Sequence, residues 1–262
     1  MTDTVGEDKI VGTNASGYAS KTGSLYMRVE DLRNYGKGLL DSEPDPEMTE
    51  RKHKIRKKML RELEKQLGHA GTMELMARMK EETERVKNQD RTILSRYGLH
   101  DKGFIESAIR RIALTKALAD MVGMEKASAI QCKLVEKTIW ELMSPMWPSI
   151  EDYKKCGNFF DAFKGYTKAS MSANVRAGLH DMEIVEDSPN VLAFNIKYCV
   201  WHEVAKLSGD PYLCYPSTCY GDEVTIPKVL NQSGCKFKRS GTLAQGARVC
   251  DFTYEFLLTG HF

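Results

Sequence analysis

The spacing of apolar residues changes once along the chain, near residue 180, and this change constrains the fold more than any other feature. Before it, apolar side chains recur every three or four residues, as one face of an α-helix requires. Ile55, Met59, Leu63 and Leu67 make one such stripe, and Ile105, Ile109, Ile112, Ala113 and Ala117 make another. After it the period falls to two, and Leu192, Phe194, Ile196 and Tyr198 share one side of an extended strand. A run of helices followed by strands joined through short turns specifies an α+β chain, with a helical N-terminal half and a C-terminal antiparallel sheet with short helices.

Local signals divide the chain further. Residues 1–24 are rich in Gly, Ser, Thr and Asp and are expected to form a mobile tail, ahead of a helical region (25–175) and an α+β catalytic region (176–262). Asp45-Pro46-Glu47 supplies a capping acid, a proline at the first helical position and an acid in the first turn. Further helices are expected from Thr72 to about Arg96, from Gly103 to Val122 and, past Gly123, from Glu125 to Met143. Pro145 and Pro148 end the last of these, and a short helix starting at Ser149 carries Tyr153, Phe159, Phe160 and Phe163. A strand around Ile184, a turn at Asp187-Ser188-Pro189-Asn190 and a strand over Val191 to Tyr198 follow. A helix from about Val200 to Leu207 closes at Gly209. The Pro-containing stretch 210–230 holds a short helix near Glu223 to Leu230. Two last strands run from Cys235 to Arg239 and from Arg248 to Phe256.

Composition removes several functions. With 38 Lys+Arg against 36 Asp+Glu, the formal charge is only +2, so the electrostatic case for a dedicated nucleic-acid binder fails. The basic cluster at Arg51, Lys52, Lys54, Arg56, Lys57, Lys58 and Arg61 is balanced by Glu62, Glu64, Glu81, Glu82 and Glu84, as on a solvated helix face. No apolar run reaches the length of a membrane span. The first residues have no apolar segment of signal-peptide type, so a cytoplasmic location is expected. The seven cysteines, an odd number without framework spacing, are then free thiols. The apolar helices over 103–143 fit a dimer interface and burial within one chain equally well, which leaves a homo-oligomer possible.

The chemistry-bearing residues gather in the last quarter. Cys235, Phe237 and Arg239 alternate onto one face, and so do Arg248, Cys250, Phe252, Tyr254 and Phe256, while Asp251 points the other way. The aromatic face is the core face, so Arg239 and Cys250 point inward. An inward guanidinium needs an anion, either a protein carboxylate or a substrate carboxylate gripped bidentately. Cys199 ends a strand, with His202 and Glu203 in the next turn; Cys219 and Asp222 lie three apart. A thiol beside a carboxylate or imidazole suffices for attack on an electrophilic carbon, and a helix N-terminus favours its thiolate. Gly-rich nucleotide loops, H-E-x-x-H, the G-x-S-x-G elbow and C-x-x-C pairs are all missing from the sequence, which gives no signal for a cofactor or metal. Convergence of Cys199, Cys219 and Cys250 on a metal stays open at this level.

The elements Phe194-Asn195-Ile196-x-x-Cys199, Cys219-x-x-Asp222 and Arg239-x-x-Thr242-x-x-x-Gly246-x-x-x-Cys250-Asp251-Phe252-x-Tyr254 resemble, in this order, the L-2-amino-thiazoline-4-carboxylic acid hydrolase family. The resemblance implies a hydrolase that opens a small cyclic amide- or amidine-like ring by cleaving a non-peptide C–N bond, with a small heterocycle as its partner. Cys219 or Cys250 is then the expected nucleophile, Asp222 or His202 the proton carrier, and Arg239, with Cys199, Asp251 and Thr242, the substrate-binding set. Direct activation of water by Asp222 is the competing mechanism. A weaker likeness to the ligand-binding domain of vinyl-reductase-like proteins implies instead a non-catalytic small-ligand or metal sensor.

Overall fold

A computed structural model describes residues 46–89, 102–144, 147–148, 152–153, 158–176, 178–230 and 233–257. The expected tail at 1–24, the capping Asp45, the helix end at Arg96, Pro145 and the helix start at Ser149 lie outside the described residues.

The first helix, α1 (Pro46–Lys87), joins two of the expected helices across Gly68. That residue has φ 73° and ψ 172°, a conformation essentially restricted to glycine, and it breaks the helix there. Ile55 and Leu63 are buried ahead of the break, Leu75, Thr83 and Val86 beyond it. The second helix, α2 (Lys102–Val122), passes through Gly123 (φ 82°) into α3 (Met124–Met143). Both faces of α2 are covered. Leu114, Ala117 and Leu118 pack with Leu63 and Leu75 of α1 and Ile130 and Leu134 of α3. Ile105, Ile109 and Ile112 pack instead against Tyr198, Val200, Val204, Leu213, Cys214 and Cys219 from the C-terminal half. Burial inside the chain thus accounts for these apolar side chains of α2 and α3. Lys133 and Lys137 of α3 both reach Glu62 of α1.

Helix α4 (Phe159–Arg176) is longer than the expected short helix. Asn158 caps it, its Oδ1 accepting from the Phe160 and Asp161 amides at 2.9 and 3.2 Å. Phe160 and Phe163 are fully buried, and the Phe163 ring meets Tyr254 edge-on at 5.1 Å.

Four antiparallel strands follow: β1 (His180–Asp187), β2 (Val191–Cys199), β3 (Cys235–Lys238) and β4 (Cys250–Phe256), in spatial order β1-β2-β4-β3. Leu192, Phe194, Ile196, Tyr198, Cys250, Phe252 and Tyr254 are buried as the alternation requires, and Phe194 stacks on its register partner Phe252 at 5.0 Å. Strand β2 runs directly into α5 (Val200–Leu207). A 3₁₀ turn at Pro211–Leu213 and a π turn at Tyr215–Cys219 then lead into α6 (Tyr220–Leu230), which starts three residues earlier than expected. Among the described residues, no helix is long and apolar enough to cross a membrane.

Candidate active site

Antiparallel pairing brings the start of β1, the end of β2, the start of β4 and the end of β3 to the same end of the sheet. His180 is the register partner of Cys199, and Cys250 that of Ile196. Arg239 directly follows β3. Directly opposed residues in such a sheet hold their Cβ atoms roughly 4.5–5.5 Å apart, so His180 and Cys199 are neighbours by topology alone. The segment 211–222 closes over this end and adds Cys214, Cys219 and Asp222. Its π turn is a geometry frequent at functional sites.

Arg239 anchors the cluster. Its side chain is only 3% exposed and lies over the rings of Phe252 and Phe237 at 5.3 and 5.9 Å. Nη1 donates to Asp222 Oδ2 at 2.9 Å, and Nη2 donates to the Cys219 carbonyl at 2.8 Å and to Glu223 Oε1 at 2.7 Å. Of the two anions anticipated for this guanidinium, the protein itself supplies one. Glu223 also accepts from the Tyr215 hydroxyl. Asp222 keeps 42% of its side-chain surface accessible, yet burial pushes its carboxyl above its ordinary value, against the pull of Arg239 and His180.

Cys214 is fully buried and in thiol–thiol contact with Cys219, their Sγ atoms 3.7 Å apart. Cys199 occupies the N-cap position of α5, with no side-chain capping hydrogen bond. The Cys214 hydrogen bond holds the Cys199 thiol well below its ordinary value, despite burial, with His180 and the His202 amide adding to the effect. Cys214 is displaced upward, chiefly by its interaction with Cys199 and then with Cys219. Cys250 lies in the same electrostatic neighbourhood, but burial pushes its thiol up to about 12, and its sulfur accepts from the Leu243 amide at 3.2 Å. Of Cys199, Cys214 and Cys250, Cys199 is the sulfur best placed to carry negative charge.

The remaining candidates are placed differently. The His202 ring faces Glu203 at 3.5 Å, and burial, with Lys206, lowers its pKa. Asp251 lies on the other side of β4, where its two oxygens accept from the Ser240 amide and hydroxyl and from the Gly241 amide, fixing the loop after Arg239. Thr242 is fully buried and caps the turn Leu243–Gln245 through the Gln245 amide at 3.3 Å. Two residues that the sequence did not single out join the cluster, His180 and Cys214. The His180 ring stands 5.4 Å from that of Trp201, and its buried Nδ1 has no hydrogen-bond partner among the described residues. Among the described residues, no group of three or more His, Cys, Asp or Glu is arranged to hold a metal ion. A cleft of ≈ 410 Å³ lies elsewhere, between α1 and α3, lined by Glu50, Arg51, Lys54, Lys57, Lys58, Arg61 and Glu141. Its lining side chains are charged, and two ion pairs close within it, Lys54–Glu50 and Lys58–Glu141.

Compared with known protein families, residues 103–254, more than half of the chain, match the family described as L-2-amino-thiazoline-4-carboxylic acid hydrolase. No curated protein and no solved structure matches the chain.

Proposed function

Because the chain belongs to the L-2-amino-thiazoline-4-carboxylic acid hydrolase family, we propose that it opens a small cyclic amide- or amidine-like ring by hydrolysing a C–N bond. One observation carries the reading: the Cys199 sulfur sits at a helix N-terminus, opposite His180, in a cluster that also holds Asp222.

In this proposal Cys199 takes the role that the sequence left between Cys219 and Cys250. Its thiolate adds to the ring carbon bonded to two heteroatoms. The C–N bond then breaks, and the departing nitrogen takes a proton from His180 or Asp222. Water, deprotonated by the same group, releases the covalent intermediate. Arg239 acts as a positioning residue that holds Asp222 and the Cys219 carbonyl, since both of its terminal nitrogens are engaged by protein. Asp251 and Thr242 support the loop beneath it, and Cys250 lines the site with its proton retained.

The test is ring opening across a panel of thiazoline, imidazoline and lactam rings with and without a carboxylate, using wild type, Cys199→Ser and Asp222→Asn. Turnover of at least one ring that collapses in both variants is expected. Absence of turnover on the whole panel, or full activity in both variants, would overturn the proposal.

A further inference from the structure

We infer that Cys214 and Cys219 form a peroxide-reactive pair that closes to a reversible disulfide across the π turn, with Cys219 oxidised first and Cys214 resolving it. Three observations carry this. The two sulfurs are in contact, Sγ to Sγ at 3.7 Å, and both thiols are free. An S–S bond is about 2.05 Å long, so the sulfurs need to approach by less than about 2 Å. The second observation is the backbone that makes the contact. At about 3.6 residues per turn, side chains five positions apart on an α-helix point roughly 140° away from each other. Tyr215–Cys219 form instead a π turn, whose i→i+5 hydrogen bonding brings the residue before the turn beside the residue that ends it. Cys214 and Cys219 are those two residues, so the irregular turn is what points both thiols to one side. Third, the two sulfurs differ in access. Cys219 keeps 8% exposure, whereas Cys214 has none and is enclosed with Ile109, Val204 and Leu213 in one apolar cluster. Peroxide therefore meets Cys219 before Cys214.

The chemistry balances in two steps. The Cys219 thiol gives its proton to solvent, and the thiolate attacks the distal oxygen of the hydroperoxide. The O–O bond breaks, the leaving alkoxide or hydroxide takes a proton from solvent, and Cys219 becomes a sulfenic acid. The Cys214 sulfur then attacks Cys219 Sγ, the S–O bond breaks, and the hydroxyl leaves as water with the Cys214 proton. Two electrons pass from the two sulfurs to the peroxide, and an external dithiol returns them. The disulfide braces the segment against which Arg239 rests. The Cys219 carbonyl accepts from Arg239 Nη2 at 2.8 Å, and Asp222, three residues on, accepts from Nη1 at 2.9 Å. Nothing in this inference rests on the hydrolytic reading.

The experiment uses the full, reduced chain treated with hydrogen peroxide, blocked with N-ethylmaleimide and mapped by fragmentation mass spectrometry. Trypsin cuts after Lys206 and Lys228, which places Cys214 and Cys219 together on one peptide without another cysteine and leaves Cys199 on the preceding one. The expected product is peptide 207–228 lighter by two hydrogens and carrying no maleimide, which dithiothreitol converts to a form that takes two. Cys214→Ser, checked by circular dichroism to be folded, should lose this product and instead be trapped by dimedone at Cys219. A peptide 207–228 that stays doubly alkylated after peroxide, or a link from either cysteine to another peptide, would overturn the inference in wild type alone. Dimedone trapping of Cys214 in a folded Cys219→Ser variant, with none at Cys219 in Cys214→Ser, would overturn the order of oxidation.

Discussion

Replacing Arg239 with methionine removes the charge that organises the site while keeping a chain able to pack on the aromatic rings. Breaking one side of a buried ion pair costs about 3–5 kcal/mol. Here the guanidinium is 3% exposed, but Asp222 and Glu223 keep 42% and 38% of their side-chain surface. Water can therefore solvate the two carboxylates once the cation is gone, which reduces the cost to about 2 kcal/mol. Loss of the cation from the faces of Phe252 and Phe237 adds about 1 kcal/mol. A total of about 2–3 kcal/mol lowers the melting temperature by roughly 5–10 °C in a chain of this size. The penalty also depends on pH. Burial already sets the folded pKa of Asp222 above its unfolded value, and Arg239 is the main opposing influence. Without Arg239 the folded value rises further, so the cost is full at neutral pH and shrinks as the pH falls through that value toward the unfolded one. Thermal unfolding of wild type, Arg239→Met, Asp222→Asn and the double variant from pH 4 to pH 8 measures all of this. A coupling energy of about 1–3 kcal/mol between the two sites is expected. Additive effects, or an Arg239→Met variant within about 0.5 kcal/mol of wild type, would refute the reasoning.

Two further outcomes follow from the same geometry. Gly68→Ala should destabilise by about 1–3 kcal/mol from backbone strain alone, because no atom lies within 4 Å of the added Cβ; unchanged stability in urea would show that the break in α1 relaxes freely. Because the Cys199 thiol is depressed in the folded protein, its ionisation stabilises the fold fully above the unfolded thiol value of about 8.5, and this contribution is lost as pH falls through the lower folded value. Cys199→Ser should therefore flatten stability against pH over that interval, and iodoacetamide should label Cys199 in wild type at mildly acidic pH where Cys250 stays unlabelled; equal labelling of the two would contradict it.

Much of the fold was legible because short-range physics decides it. Helices α2 and α3, the hairpin about Ser188-Pro189-Asn190 and the helix after Cys199 follow from periodicity and turn chemistry. The inward face of Arg239 and Cys250 follows from alternation along aromatic strands. The extent of α4 was missed, although Asn158, with Asp161 in the first turn, is a helix start of ordinary kind. The site was only half visible. Cys219, Asp222 and Arg239 do meet, but the sequence ranked Cys219 and Cys250 ahead of Cys199 as nucleophile. What elevates Cys199 is its cross-strand partner His180, 19 positions away, and its place at the start of α5. Cys214 lies between the 3₁₀ and π turns, in a stretch that resembles a loop in the sequence, and its observed thiol contact is with Cys219. His180 was recoverable: the two irregularities in the β1–β2 register cancel, so pairing residues outward from Asp187 opposite Leu192 ends with His180 opposite Cys199.

The most direct measurement is to mix the protein with a ring that it turns over, quench in acid within the first turnovers and locate the covalent adduct by mass spectrometry, with the kcat of Cys199→Ala measured alongside. An adduct on Cys199, and a kcat reduced by about three orders of magnitude or more, are predicted. An adduct on Cys219 or Cys250, or a Cys199→Ala enzyme within about tenfold of wild type, would contradict the central claim that the sulfur facing His180 is the one that attacks.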